Sequence, residues 1–428
     1  MPSNKIITGL DLGSSTIKIA VGQVYQDDLE IIGIFESPSE GISKGVIIDV
    51  EDVISSLSAA LEKAERIIGF PIESVNVGIS GTNILSQESR GVIAVSQADG
   101  EIRQEDVERV IEAAQTIATP PNYEIFHVLP RVYKVDNQID IKNPVGMTGV
   151  RLEVEVQIIL DLTRQIKNLI YCLHRVGLEI EKIIFSALAM AETFLDKKQK
   201  ELGVAVFDIG GTISHLIVYE EGDILTAKVL PIGSRDITSS IAIALRSSIS
   251  VAGAVKIAYG TSDYKRVKNS EKIDLKEFDE KLSPSKRSLE GISRFAGSRE
   301  AREEVFSRKS LAKVINEKCR EIFKLADKEL IAIGKSQKLP AGVILTGAGS
   351  KLNGLVETAK ETLRLPCFLG KPTGFDSELK EAFDPKYATA IGLIIWAKEQ
   401  RESFGATIKT HRGFFETFKK WLKNLLPY

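Results

Sequence analysis

The sequence predicts an α/β protein with two lobes that share one layout. Two segments carry that prediction: residues 6–22 and 202–219 each read as strand, short polar turn with glycine, strand. A third glycine turn, at residues 343–350, also follows a β-branched run. The 428 residues are enough for about two to four domains. At 43% apolar and 27% charged, the chain supports a large core and is not globally disordered.

The elements follow in order. Residues 6–10 form a β-branched run, Asp11-Leu12-Gly13-Ser14-Ser15-Thr16 a small polar turn, and residues 17–22 a return strand. A helix is predicted over Val50–Ile68, where Val53, Ile54, Leu57, Ala60, Leu61, Ala64 and Ile68 recur at helical spacing and Asp49 or Asp52 caps the start. Residues 75–81 read as a strand with a tight exit. Residues 84–162 read as an inserted small domain: a strand at 91–95, a helix at 99–118 with acidic residues in its first turn, and strands near 123–129, 131–135 and 150–159. The second hairpin turns at Asp208-Ile209-Gly210-Gly211-Thr212. Residues 260–310 are rich in Lys, Glu, Ser and Arg and read as a loop-rich insertion. A helix over 311–330, a strand entering Thr346-Gly347-Ala348-Gly349-Ser350, and a polar linker at 398–410 complete the body.

Several function classes are excluded early. Fifty-six basic against 58 acidic residues give a net charge of −2, which argues against nucleic-acid binding through bulk charge. Cys172, Cys319 and Cys367 are widely spaced with no C-x-x-C, which fits a reducing cytoplasm better than a disulfide framework or zinc site. The first residues do not read as a signal peptide. The apolar run at 388–397 is shorter than the ~20 residues a bilayer span needs, so any membrane contact is expected at the surface. No H-E-x-x-H, G-x-S-x-G or Walker A sequence occurs.

The three glycine turns share one logic. Glycine lets backbone N–H groups approach a phosphate or purine closely. Asp11 and Asp208 are expected to face each other across a cleft and to hold a hydrated Mg²⁺, which takes few protein ligands. Any one turn alone reads as an ordinary tight connection; three in this order are more specific. His127 and His215 each read as packed or hydrogen-bonded strand histidines rather than bases.

With these residues in view, the chain resembles the actin–Hsp70–sugar kinase superfamily, and within it the FtsA family of bacterial cell-division proteins. The family's opening turn is matched by Gly9-Leu10-Asp11-Leu12-Gly13-Ser14-Ser15. Its inserted domain is matched by Ser89-Arg90-Gly91-Val92-Ile93-Ala94, Glu105-Asp106-Val107-Glu108-Arg109-Val110, His127-Val128-Leu129-Pro130, Pro144-Val145-Gly146-Met147 and Gly149-Val150-Arg151-Leu152-Glu153-Val154. The adenosine-side turn is matched at 343–349, with Ala348 in place of a glycine, and the closing helix at 384–393. The match covers nearly everything except about residues 262–310.

The resemblance implies a two-lobed actin-like fold of the duplicated ribonuclease H type with an FtsA-type inserted subdomain. The first lobe core is expected at 1–83, 163–199 and 383–397, the insert at 84–162, the second lobe core at 200–237 and 326–382, and an apical subdomain at 238–325. It also implies ATP and Mg²⁺ as cofactors. Nucleotide is expected at Gly13, Ser14, Ser15, Lys18, Gly210, Gly211, Thr212, Lys256, Gly347 and Gly349, with Asp11 and Asp208 as the catalytic and, through water, metal-holding carboxylates. The departures fall on the second turn: Thr212 replaces a glycine, Ile213 a threonine and His215 an aspartate. An acid expected near Ser186 is missing, and Gly253 stands where an acid would hold the ribose, although Lys256 remains. Thr212 is expected to narrow the approach and Ile213 offers no hydroxyl, so hydrolysis is expected to be impaired, leaving at most a weak ATPase.

The tail, 411–428, places Phe414, Phe415, Phe418, Trp421, Leu422, Leu425 and Leu426 on one helical stripe about 140° wide. Lys420, Lys423 and Glu416 lie opposite and Lys419 at the edge; from Arg412 onward four basic residues against one acidic give a net +3. That pattern predicts an amphipathic helix lying on an anionic leaflet rather than one docked on the protein's own core. The family resemblance ends the same way. It implies a peripheral adaptor on the cytoplasmic side of the inner membrane at the division site. Such an adaptor polymerises, binds the FtsZ C-terminal tail and helps recruit later division proteins. An active ATPase or sugar-kinase relative and a pilus-assembly adaptor are the alternatives.

Overall fold

The computed structural model describes residues 5–402, apart from 98, 117–118, 276 and 279–304, and excludes the side chains of 400–402. The tail residues and most of the 262–310 segment lie outside the described residues. The described residues form two compact units: 5–201, 217–229 and 371–402 in one, 202–216 and 230–370 in the other.

The chain opens with β1 (Lys5–Leu12), β2 (Thr16–Tyr25) and β3 (Asp28–Pro38) as an antiparallel meander. Helix α1 (Val50–Ile68) has the bounds its periodicity predicts. Asp49 caps it by accepting from the Asp52 N–H, and Gly69 closes it with φ +83°, a left-handed conformation that suits glycine. Next comes β4 (Ser74–Ile79). The insert then supplies β5 (Leu85–Ala94), α2 (Gln104–Ala114), β6 (Tyr123–Val135), β7 (Gln138–Ile141) and β8 (Arg151–Leu162). Helix α3 (Thr163–Arg175), β9 (Glu179–Phe185), α4 (Ser186–Glu192) and α5 (Lys197–Leu202) follow.

The first sheet has strand order β9-β4-β1-β2-β3. One of its faces packs Val53, Leu57, Leu61 and Ala64 of α1 and Ile166, Leu169 and Leu173 of α3 into a single core. The insert is a separate four-stranded sheet, β5-β8-β6-β7, with α2 on one face. Leu152, Val154, Val156, Ile158 and Leu160 alternate toward that helix.

Two expectations for the insert are corrected. The strands expected near 123–129 and 131–135 are one strand, because Pro130 and Arg131 fall at a bulge: Glu155 pairs with Val132 and Val156 with Pro130. A bulge absorbs a proline that a regular central ladder would exclude. The helix expected over 99–118 is shorter, because Asp106 rather than Asp99 organises its start. Asp106 Oδ2 accepts from the Arg103 N–H at 3.1 Å and Oδ1 from Ser96 Oγ at 2.9 Å.

The second half runs β10 (Val204–Ile209), β11 (Ser214–Glu220), β12 (Asp223–Leu230), α6 (Ser234–Leu245), α7 (Ile249–Tyr259), α8 (Arg308–Ala332), β13 (Val343–Thr346), α9 (Leu355–Leu363) and β14 (Cys367–Leu369). The sheet order is β12-β11-β10-β13-β14, with β13 parallel to β10. Helix α8 buries Leu311, Ile315, Cys319, Ile322 and Phe323, and Phe323 meets Phe207 of β10 at 5.9 Å between ring centroids.

Helix α10 (Ala388–Glu402) closes the described chain and runs into the stretch read as linker. Two glycines seat it. A Cβ on Gly9 of β1 would stand 2.0 Å from Ala390 O, and one on Gly392 would stand 1.9 Å from Ala189 O of α4. Among the described residues, no single helix is long and apolar enough to cross a membrane.

Candidate nucleotide site

Both hairpin turns are built alike. The Gly13 N–H donates to Thr16 O at 3.2 Å, and the Gly210 N–H donates to Ile213 O at 3.0 Å. A Cβ on Gly13 would meet Thr16 O at 2.8 Å, and one on Gly210 would meet Ile213 O at 2.7 Å. Gly13, Gly210, Gly211 and Thr212 all lack a positive φ, so the second turn does not need glycine's left-handed freedom at 212. The cost of Thr212 is the room its side chain takes, and its buried Oγ1 has no hydrogen-bond partner among the described residues.

In the first unit, Lys18 Nζ stands 3.0 Å from Asp11 Oδ2, both side chains 13% exposed. Ser14 Oγ accepts from the Gly45 N–H at 2.9 Å, and Ser15 O accepts from the Ser39 N–H at 3.1 Å, which fixes the turn against neighbouring loops.

In the second unit, Asp208 is the penultimate residue of β10 and His215 the second of β11. His215 Nδ1 lies 2.8 Å from Asp208 Oδ2, and both side chains are nearly buried. A carboxylate only accepts, so Nδ1 carries the hydrogen. His215 is thus the hydrogen-bonded strand histidine its sequence context predicts, with Asp208 as the partner that the sequence did not name. The other oxygen, Oδ1, lies against Gly347, where a Cβ would stand 2.1 Å from it. Gly347 has φ +83° at the exit of β13, so both the turn and the close approach require glycine.

The start of α6 is welded to the same turn. Ser234 N–H donates to Gly210 O at 2.9 Å and Arg235 N–H to Gly211 O at 2.7 Å. Beside it lies a cavity of about 280 Å³ lined by Ser234, Lys256, Gly260, Gly349, Lys351 and Asn353, among others. Lys256 Nζ donates to Ser234 O at 3.0 Å, to Ser234 Oγ at 3.3 Å and to Thr238 Oγ1 at 2.7 Å. Burial lowers its pKa. Gly349 lines it and packs closely on Ile209 and Ser234, since a Cβ there would stand 2.6 Å from Ile209 Cγ2 and 3.0 Å from Ser234 Cβ. These residues fit a nucleotide: Gly347 and Gly349 let backbone approach it, Ser234 and Asn353 offer polar groups, and Lys256 and Lys351 offer charge.

They fit Mg²⁺ poorly. Each candidate carboxylate already holds a partner from its own hairpin, Lys18 on Asp11 and His215 on Asp208. Among the described residues no three His, Cys, Asp or Glu side chains gather as a metal site. Ser186, where the resemblance expects an acid nearby, begins α4 and bonds to Ile79 O at 3.1 Å; that helix has no acid in its first turn.

His127 is structural, as its sequence context predicts. Its Nε2 accepts from the Phe185 N–H at 3.0 Å, and burial pushes its pKa down to about 4. Sequence reasoning missed the Asp208–His215 pair and the part played by Ser234. The equal spacing of Asp11 to Lys18 and Asp208 to His215, seven residues in each hairpin, is the signal that would have found the pair.

The repeated hairpin, the second five-stranded sheet and the inserted four-stranded domain define an actin-like α/β protein of two lobes. Among solved structures, the chain superposes on the PilM–PilN type IV pilus biogenesis complex with TM-score 0.65 at 16% identity, over 92% of this chain and 98% of that one. It also superposes on MreB5 of Spiroplasma citri bound to ADP with TM-score 0.52 at 13% identity, over 93% and 99%. At the sequence level, a profile described as "SHS2 domain inserted in FTSA" matches residues 81–160, and one described as "Cell division protein FtsA" matches residues 205–392. The chain is 34% identical to the cell division protein FtsA of Pseudomonas aeruginosa over 98% of both chains, and 35% identical to that of Borreliella burgdorferi over 94% of this chain and 92% of the relative. It belongs to the FtsA family of cell-division proteins.

Proposed function

We propose that this chain is an actin-like division adaptor. It binds ATP, polymerises, and tethers FtsZ filaments by their C-terminal tails to the cytoplasmic face of the inner membrane, where it helps recruit later division proteins. The inserted domain carries this reading. It folds as its own sheet and helix at the place where the family profile falls, and FtsA-type insert phrases are what set the sequence apart from kinase relatives.

Nucleotide contacts are assigned to Gly13, Ser14, Ser15 and Lys18 of the first unit. In the second unit they are assigned to Gly210, Gly211, Thr212, Lys256, Gly347 and Gly349. Bound ATP supplies the phosphates that a polymerising state recognises, while this chain's residues orient it. Ile213 offers no hydroxyl and Ser186 no acid to position water, and the Ser186 hydroxyl is already bonded to Ile79 O, so binding rather than turnover is the proposed role. The membrane contact is assigned to Phe414, Phe415, Phe418, Trp421, Leu422, Leu425 and Leu426, with Lys419, Lys420 and Lys423 toward anionic headgroups. One such helix binds reversibly, so firm attachment comes from polymerised copies acting together.

Co-sedimentation with anionic vesicles tests the proposal. The intact chain is expected to pellet and to carry FtsZ with it; a chain truncated before residue 411 is expected to leave FtsZ in solution. FtsZ that stays soluble with the intact chain would remove the adaptor role. The pilus-adaptor alternative rests on fold likeness at 16% identity, which is weaker than full-length similarity to FtsA proteins.

A further inference from the structure

We propose that His215 takes the place of a divalent cation beside Asp208, so that nucleotide binding by this chain is independent of Mg²⁺. The inference rests on the nucleotide reading above and concerns how that same site balances charge. The resemblance expects an aspartate at 215. Two carboxylates in one buried hairpin repel each other and create a demand for a cation. With His215 in that position, the second carboxylate is gone and the ring N–H faces the first at 2.8 Å.

Three features fix this arrangement. His215 lies on β11 with its residue 6% exposed, so the ring is held by strand packing. Asp208 Oδ2 is occupied by that ring, and Oδ1 faces the Gly347 backbone. Mg²⁺ demands near-octahedral geometry and retains several waters, and a carboxylate enclosed on both oxygens offers that shell little room. The first hairpin solves the same problem in the same way, with Lys18 on Asp11 at 3.0 Å and the same seven-residue spacing. Both phosphate turns therefore carry a built-in counter-charge or N–H donor from their own return strand.

The test is a titration of fluorescently labelled ADP into the full chain, with Mg²⁺ in excess or with EDTA. Coupling between two ligands is a ratio of affinities, so the Kd values in the two buffers are expected to agree within about threefold. In His215→Asp the second carboxylate returns, and the Kd in EDTA is expected to rise at least about tenfold over that in Mg²⁺. Circular dichroism melting checks that this variant folds. If it does not, the wild-type comparison alone decides: a loss of about tenfold or more in EDTA overturns the proposal. Absence of ADP binding in both buffers overturns the nucleotide reading itself, and this inference with it.

Discussion

His215 Nδ1 sits 2.8 Å from Asp208 Oδ2 across one hairpin turn, seven residues along the chain. Lys18 and Asp11 repeat that relationship at 3.0 Å in the other hairpin. The duplication thus reaches beyond the strands to the side-chain chemistry of the turns. In each, the aspartate one residue before the end of the first strand is answered by a nitrogen on the return strand, although the nitrogen belongs to a different residue type.

Gly347 is the position where substitution is expected to cost most. Alanine at φ +83° pays about 1–2 kcal/mol for a left-handed conformation, and its Cβ would collide with Asp208 Oδ1. Gly347→Ala is expected to lower the melting temperature in scanning calorimetry and to weaken ADP binding. Wild-type values for both would contradict the packing of Asp208 against this turn.

Asp161 sets a pH dependence of stability. Burial pushes its carboxyl up to about 6, while the Leu162 N–H, 2.7 Å from Oδ1, pulls the other way. The folded value lies above the unfolded one. Between about pH 4 and 6 the unfolded chain loses this proton while the native state keeps it, so stability falls as pH rises, and above that range the penalty stays on the order of 3 kcal/mol. Asp161→Asn keeps an acceptor for Leu162 and is expected to melt higher than wild type at pH 7.5, with the difference vanishing near pH 4. Equal melting at both pH values would refute this.

Lys256 joins α7 to the start of α6 through Ser234 and Thr238. Lys256→Met keeps the stem but removes the charge at the edge of the cavity. ADP affinity is expected to drop about tenfold, as for one charged hydrogen bond, while the fold survives because the buried ammonium was already paying for desolvation. A titration that superimposes on wild type would remove Lys256 from the site.

For the tail, Phe418→Glu or Trp421→Glu puts a carboxylate on the apolar stripe. Either variant is expected to stay in the supernatant when anionic vesicles are pelleted, and undiminished pelleting would defeat the anchor.

Much of the fold was legible because its signals are local. The α1 bounds follow from apolar periodicity with Asp49 and Gly69 at the ends, and both hairpins follow from β-branched runs around small turns. Strand β3 was not read, because its hairpin with β2 turns at Gln26 and Asp27, which take positive φ without a glycine to signal the turn. Pro130 hid the continuity of β6, since a bulge is a property of the strand opposite as well. The turns proposed as the site were legible as glycines and aspartates. Their charge balance was not, because whether His215 packs or pairs depends on which atom of the neighbouring strand its ring meets.

The seating of α10 has a mechanical consequence. Gly9 and Gly392 bring that helix to backbone contact with β1 and α4, and it is the last described element of the chain. A side chain at either position would therefore wedge main chain from main chain, so this joint tolerates no bulk and any enlargement there would lift the helix off the first sheet.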